Sequence, residues 1–541
     1  MLHQRSAGVV VTTRLSSIAA VAAIAASLAS PMAAARANKA ASASESAQAA
    51  TAAYFDAIVA SPPRLREFLR AMPKGGDLHS HLSGAVYAED YLRWAAEDGL
   101  CLDRDSVALV APPCSAPDRI AVTEAAQNKL PLYGRAIDAM SVRGYERAEA
   151  ATSEPVHQRF FSAFDRFRIV ARDRRGDMFA AVRTLAAGER TDYLELMHVP
   201  SAGRALLEKS AASGDGRDFA AMAAALAPQL SEAVAQARAE LDRDEARAAM
   251  LLGCAGDGPQ AGCRVEVRYQ VPATRTHSPD RVFAALVFAY ALVQADPRCV
   301  GVNLVGPEHH PIALRDYALH MRMLAFLKQR YPSVKLSLHA GELSEGLVPP
   351  GELRSHIGQA VRIAGADRIG HGVDIANEDD APALLQRMAR ERIAVEINLS
   401  SNAAILGLSG AAHPLALYRA AGVPVVLSTD DQGVLRGDLT SEYVRAAREQ
   451  GLAYLELKRI ARDSLQYAFL SGAGLWREQP GGRRAEACAG EDVSDEPTAA
   501  CARFLQANDK ARLQWRLERQ LADFEREPRL PMSEAGRIEL R

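Results

Sequence analysis

Cys299-Val300-Gly301-Val302-Asn303-Leu304-Val305 is an apolar, β-branched run of strand length. It belongs to a series of eight, Asp77–Leu82, Asp192–Met197, Val265–Gln270, Val300–Val305, Lys335–His339, Arg368–Gly370, Ala394–Asn398 and Pro424–Thr429. Each is followed by a longer stretch with helical periodicity, and that alternation marks parallel βα units. The helix after the eighth run is the clearest, with Leu457, Ile460, Ala461, Ser464, Leu465 and Ala468 on one face. Eight such units favour a closed barrel over an open sheet, so the expected fold class is α/β, a (β/α)8 TIM barrel.

About 250 residues suffice for such a barrel, and the chain has 541, so insertions are required. One lies after the first strand and carries Phe160, Phe161, Phe164 and Phe167, which read either as core or as a lid. A second, Ala-rich and helical, follows the second strand around Arg217–Leu252. The expected organisation is an export signal over 1–37, a lead-in over 38–71, the barrel over 72–475 and a charged extension over 476–541 in which no chemistry is legible.

The signal reading rests on Arg5 and Arg14 ahead of an apolar Ile18–Ala29 run and the small-residue site Ala35-Arg36-Ala37. A transmembrane anchor needs about 20 continuous apolar residues; this run is shorter, and no later segment is apolar enough to span. Export to a periplasm or the exterior permits disulfides, and six of the seven cysteines form local pairs: Cys101 with Cys114, Cys254 with Cys263 and Cys488 with Cys501. Cys299 is left as a buried free thiol. With 64 Lys and Arg against 66 Asp and Glu there is no basic stripe for a nucleic acid or anionic membrane, and a small neutral ligand fits better. The sequence carries no mark of oligomeric state.

Ionisable residues gather at the C-terminal ends of the strands, the face on which barrel active sites lie. His79 and His81 end the first, two apart and therefore on one side of it. His339 ends the fifth in His339-Ala340-Gly341-Glu342, and His371 ends the sixth between Gly370 and Gly372. The eighth closes in Ser428-Thr429-Asp430-Asp431, where both aspartates enter one site only if the strand is already turning. Taken singly, each is explained by a satisfied histidine, a capping carboxylate or a turn; four together at one end of one barrel are not. Three imidazoles and a carboxylate suit a divalent transition metal such as zinc, which brings water to a pKa near 7 and so makes a nucleophile. Attack by such a nucleophile then needs an acid to protonate the atom on which negative charge develops, for which Glu342 is placed, and a group to orient the water, for which His371 is available.

These motifs, together with Met72-Pro73-Lys74-Gly75-Gly76-Asp77-Leu78-His79-Ser80-His81-Leu82 and Asn398-Leu399-Ser400-Ser401-Asn402, resemble the adenosine deaminase family, nearer its exported, growth-factor-related branch. The resemblance runs from about Met72 to Leu470. It implies one zinc per chain on His79, His81, His339 and Asp430, Glu342 as the acid, His371 positioning the hydroxide, Asp431 holding N7 and the Gly306 N–H meeting N3. The implied reaction is hydrolytic deamination of adenosine, with 2′-deoxyadenosine, to inosine and ammonia.

One departure stands out: Ser83 occupies a position that is usually acidic in the family and is associated with the ribose, which opens the alternative of a 5′-modified adenine nucleoside. His309 and His310 are candidates for the mouth of the site, His413 reads as structural and His356 as helical. Two further alternatives remain. One is another amidohydrolase, although the fourth strand ends in Val305-Gly306-Pro307 without the lysine that bridges two metals. The other is a secreted nucleoside-binding or signalling protein without turnover.

Overall fold

The computed structural model describes residues 45–145, 155–210 and 218–528. The expected export segment, 1–37, lies outside the described residues. Eight parallel strands form one sheet in chain order: β1 (Gly75–His81), β2 (Thr191–Met197), β3 (Glu266–Thr274), β4 (Cys299–Val305), β5 (Lys335–Ala340), β6 (Arg368–His371), β7 (Ala394–Ile397) and β8 (Val425–Leu427). The two edges meet where the Asp430 N–H donates to the His79 carbonyl at 2.8 Å and the His81 N–H donates to the Asp430 carbonyl at 2.9 Å. The sheet is thus a nearly closed barrel, drawn shut at its C-terminal end.

Every strand differs from the sequence reading at one limit or both, and three of these differences have a clear physical reason. Leu82 opens a short helix, Leu82–Ala85, and is not part of β1. β3 continues beyond Gln270 through Pro272, which stands in register with Asn303; a proline lacks the ladder donor and reads as a strand end. β8 stops at Leu427, because the chain is already turning toward Asp430, whose φ is +58°.

The insertion after β1 contributes a three-stranded antiparallel sheet pinned by the Cys101–Cys114 disulfide, and the helix Val156–Asp173. Phe160 and Phe167 are buried on that helix, with Phe167 stacked on Tyr91 at 4.3 Å. The helix lies against the segments that follow β1, β7 and β8, so the phenylalanines are core residues of an element spanning the mouth of the barrel. The insertion after β2 is a 33-residue helix, Phe219–Leu251, leading into the Cys254–Cys263 disulfide.

The C-terminal segment closes the opposite end. Leu465, Ala468, Leu513, Leu517 and Leu521 pack with Leu78, Tyr193 and Val426 in one apolar cluster. Cys488–Cys501, the third expected pair, ties a satellite core of Leu475, Trp476 and Trp515, and Cys299 is free and buried as expected. No helix among the described residues is long and apolar enough to cross a membrane.

Candidate metal centre and active site

Four side chains converge at the closed end of the barrel. One nitrogen each from His79, His81 and His339 and one oxygen of Asp430 lie within 4.8 Å of one another. His79 Nε2 and His81 Nε2 stand 3.4 and 3.2 Å from Asp430 Oδ1, and the Nε2 atoms of His81 and His339 are 3.2 Å apart. Donors this close, with His79 Nε2 and Asp430 Oδ1 buried and lacking a hydrogen-bond partner among the described residues, are arranged for a shared ion.

The far edge of each ring is held. His79 Nδ1 donates to Glu396 at 2.6 Å and His339 Nδ1 donates to Asn303 Oδ1 at 2.9 Å, which leaves both Nε2 lone pairs for a metal. Burial, together with the neighbouring histidines, holds His339 well below the ordinary imidazole range, in the neutral form a ligand needs. Beneath the site the chain of contacts is continuous. Asn303 donates to Gln270, Gln270 to Glu195, and Arg368 bridges Glu195 and Glu396 at 2.5 Å each. Burial alone would raise the Glu396 carboxyl, but Arg368 and His79 bring it down to about 2.

Glu342, His371 and Asp430 form an overlapping group on the same rim, with His371 Nδ1 3.7 Å from Glu342 Oε1. Burial, then the charges of Asp430 and Glu308, raise the Glu342 carboxyl well above its usual range, which favours its protonated form. Burial holds His371 down to about 3, hence neutral. His371 and Asp430 both have positive φ, +66° and +58°, a conformation seldom adopted by such residues. In these positions the turn lifts the side chain off the strand and into the pocket, and the turn after Asp430 brings Asp431 in as well. Asp431 is raised by burial and then by Asp430; it fills the notch left by Gly84, where a methyl group would stand 1.5 Å from its Oδ1.

The remaining candidates separate. Ser83 lies on the short helix beside this notch, and its carbonyl accepts from the Tyr91 hydroxyl at 2.7 Å. Gly306 follows β4 with φ +96°. The His309 ring lies 4.5 Å from His157 and 5.8 Å from Phe161 on the helix across the mouth. His310, read as a candidate for the mouth, caps the helix Pro311–Arg330 by accepting the Ile312 N–H. His356 opens a short helix and bonds Glu308 at 2.6 Å. Glu308 in turn accepts the N–H groups of Gly341 and Glu342 at 3.1 and 2.9 Å, fixing the backbone that carries Glu342.

Sequence reasoning missed Glu396, Asn303, Glu308, Arg368 and Glu195. The signal was present in Glu396 and Asn303: each is a polar residue in the middle of an apolar strand, and buried polar groups require partners.

The fold and site together define an α/β barrel whose strand ends carry a three-histidine, one-aspartate group suited to one metal ion. The family described as adenosine deaminase matches residues 223–474. Among curated proteins, the chain is 36% identical over 147 residues to an adenosine deaminase of Serratia proteamaculans, covering 27% of this chain and 41% of that protein. It is 29% identical over 221 residues to an adenine deaminase of Sinorhizobium fredii, covering 40% and 62%. The aligned part is therefore less than two thirds of either relative. Among solved structures, an N6-mAMP deaminase of Arabidopsis superposes with a TM-score of 0.48 at 20% identity, covering 75% of this chain and 96% of that one. Over residues 223–474 the chain is therefore similar to the adenosine deaminase family, and its partial matches fall on adenosine and adenine deaminases alike.

Proposed function

We propose that the protein is a zinc-dependent aminohydrolase that deaminates adenosine and 2′-deoxyadenosine at purine C6. The observation that carries this reading is the position of a buried Glu342, its carboxyl raised by that burial, beside four convergent metal donors. An N3O donor set of this kind suits zinc, which when bound would acidify water and supply the nucleophile. In this reading His79, His81, His339 and Asp430 hold the ion, and Glu396 and Asn303 fix the histidine rings. Glu342 gives its proton to N1 as the ring accepts the nucleophile, and His371 orients the attacking oxygen. Asp431, whose carboxyl burial raises, donates its proton to N7, which can only accept, and the Gly306 N–H meets N3.

The curated relatives divide between adenosine and adenine deaminases, and the nucleoside is preferred here because Ser83 stands beside the base notch with a hydroxyl suited to a ribose. A neutral group at that position also leaves room for a 5′-modified adenine nucleoside. The protein is further proposed to be exported to a periplasm or the exterior, within the growth-factor-related branch. The leader-like N-terminus and three disulfides support export.

The test is a panel of adenosine, 2′-deoxyadenosine, 5′-deoxyadenosine, AMP and adenine, followed by loss of the adenine absorbance and release of ammonia, with zinc determined on the same protein. Turnover of the nucleosides above adenine, with about one zinc per chain, is the expected result. Preference for free adenine would overturn the nucleoside assignment, and full activity in metal-free protein would overturn the mechanism.

A further inference from the structure

A run of hydrogen bonds behind His371 begins at a group that can only donate. The Leu415 backbone N–H donates to His413 Nδ1 at 3.2 Å. A neutral His413 with Nδ1 accepting carries its proton on Nε2, and burial holds it neutral, down to about 4. That Nε2–H donates to Asn402 Oδ1 at 3.0 Å, which sets the orientation of the amide. Asn402 Nδ2 is thereby turned to His371 Nδ1, 3.0 Å away, and the Asn398 amide lies 3.4 Å from the same nitrogen. All four side chains are buried, so none can exchange its partner for solvent without opening the site.

We infer that His413 and Asn402 are positioning residues that hold His371 in its Nε2–H tautomer, so that His371 serves the reacting oxygen as a hydrogen-bond donor and not as a base. The ring of His371 packs against the metal histidines His79 and His339 at 4.9 and 5.1 Å. Nδ1 is engaged by the Asn402 amide at 3.0 Å, while the Glu342 carboxyl lies 3.7 Å from it, beyond hydrogen-bond reach, so Nε2 is left to serve the pocket and there presents an N–H. His413 never reaches the substrate; it acts through the amide of Asn402. The inference rests on the deaminase reading for its catalytic consequence, but the tautomer itself does not depend on that reading.

The experiment has two arms on the zinc-loaded full chain. In the first, histidine labelled with 15N is observed by long-range proton–nitrogen correlation, with His371 assigned by its absence in His371→Asn. The expected spectrum shows a protonated Nε2 and an acceptor Nδ1; a protonated Nδ1 overturns the inference, whether or not the protein turns over adenosine. In the second, Asn402→Asp presents only acceptors, and His413→Leu removes the donor. Each should lower kcat by about tenfold or more, with KM within about threefold, since orienting groups act on the chemical step, and with zinc content unchanged. His413→Gln, whose amide N–H still reaches Asn402, should restore kcat to within about threefold of the parent. Equal losses in the Gln and Leu variants, or an undiminished kcat in Asn402→Asp, refute the chain. Should a variant fail to fold, the spectrum of the parent decides.

Discussion

Gly84→Ala is a one-methyl change whose effect follows from a single geometry. The added carbon would lie 1.5 Å from Asp431 Oδ1, 2.4 Å from its Cγ and 2.8 Å from its Cβ. Atoms in ordinary contact stand about 3.5 Å apart, so the carboxyl must move by about 2 Å. Asp431 Oδ1 has no hydrogen-bond partner among the described residues, and burial, then Asp430, raise the carboxyl well above its usual range. Moved that far, it no longer reaches a ligand nitrogen at its present position. Losing one buried hydrogen bond costs about 1–3 kcal/mol, or roughly 5- to 150-fold in kcat/KM. The assay compares adenosine with 7-deazaadenosine, which lacks the N7 acceptor. The parent should discriminate between them by that factor; Gly84→Ala should turn over both at the parent's 7-deazaadenosine rate, with zinc content intact. A Gly84→Ala protein that still prefers adenosine as strongly as the parent would show that Asp431 does not read N7.

Glu342→Gln should lower kcat by two or more orders of magnitude with zinc retained, whereas His339→Ala should lose the zinc itself, as read by metal analysis beside turnover. Glu308→Gln tests the buried ion cluster. Burial would raise this carboxyl, but the hydrogen bond from His356 and the Arg275 charge lower it from 4.5 to about 2. Its ionised form is thus favoured by folding, and the stabilisation is complete above about pH 4.5 and lost as pH falls through about 2. Melting temperatures should show Glu308→Gln less stable at neutral pH and with a flatter acid limb; parallel acid limbs would exclude this role. Ser83→Asp should sharpen preference for a free 5′-hydroxyl and disfavour AMP, while the parent turns over adenosine and 5′-deoxyadenosine within about tenfold of each other, because a neutral hydrogen bond is worth only about 0.5–1.5 kcal/mol. The kcat/KM values of both proteins on both substrates check it.

The sequence by itself determined the barrel, because the alternation of apolar strands and periodic helices is a local property that survives in one dimension. It also pointed to the three cysteine pairs that the fold joins, because their partners lie only 9 to 13 residues apart and meet through short local loops. It marked the histidines and aspartates at the strand ends, since those stand beside glycines and turns at recognisable spacing. Only the tertiary structure decided that they share one site. His79 and His81 lie outside the matched stretch 223–474, more than 250 residues from His339, and barrel closure through Asp430 is what brings them together. The supporting shell was equally hidden. Glu396 reaches His79 across 317 positions and Arg368 reaches Glu195 across 173, and no local pattern encodes a partner at such a distance. His413 appeared structural because its chemistry passes through Asn402, and the direction of a chain of hydrogen bonds is set by which atoms face one another, a property of the folded chain alone.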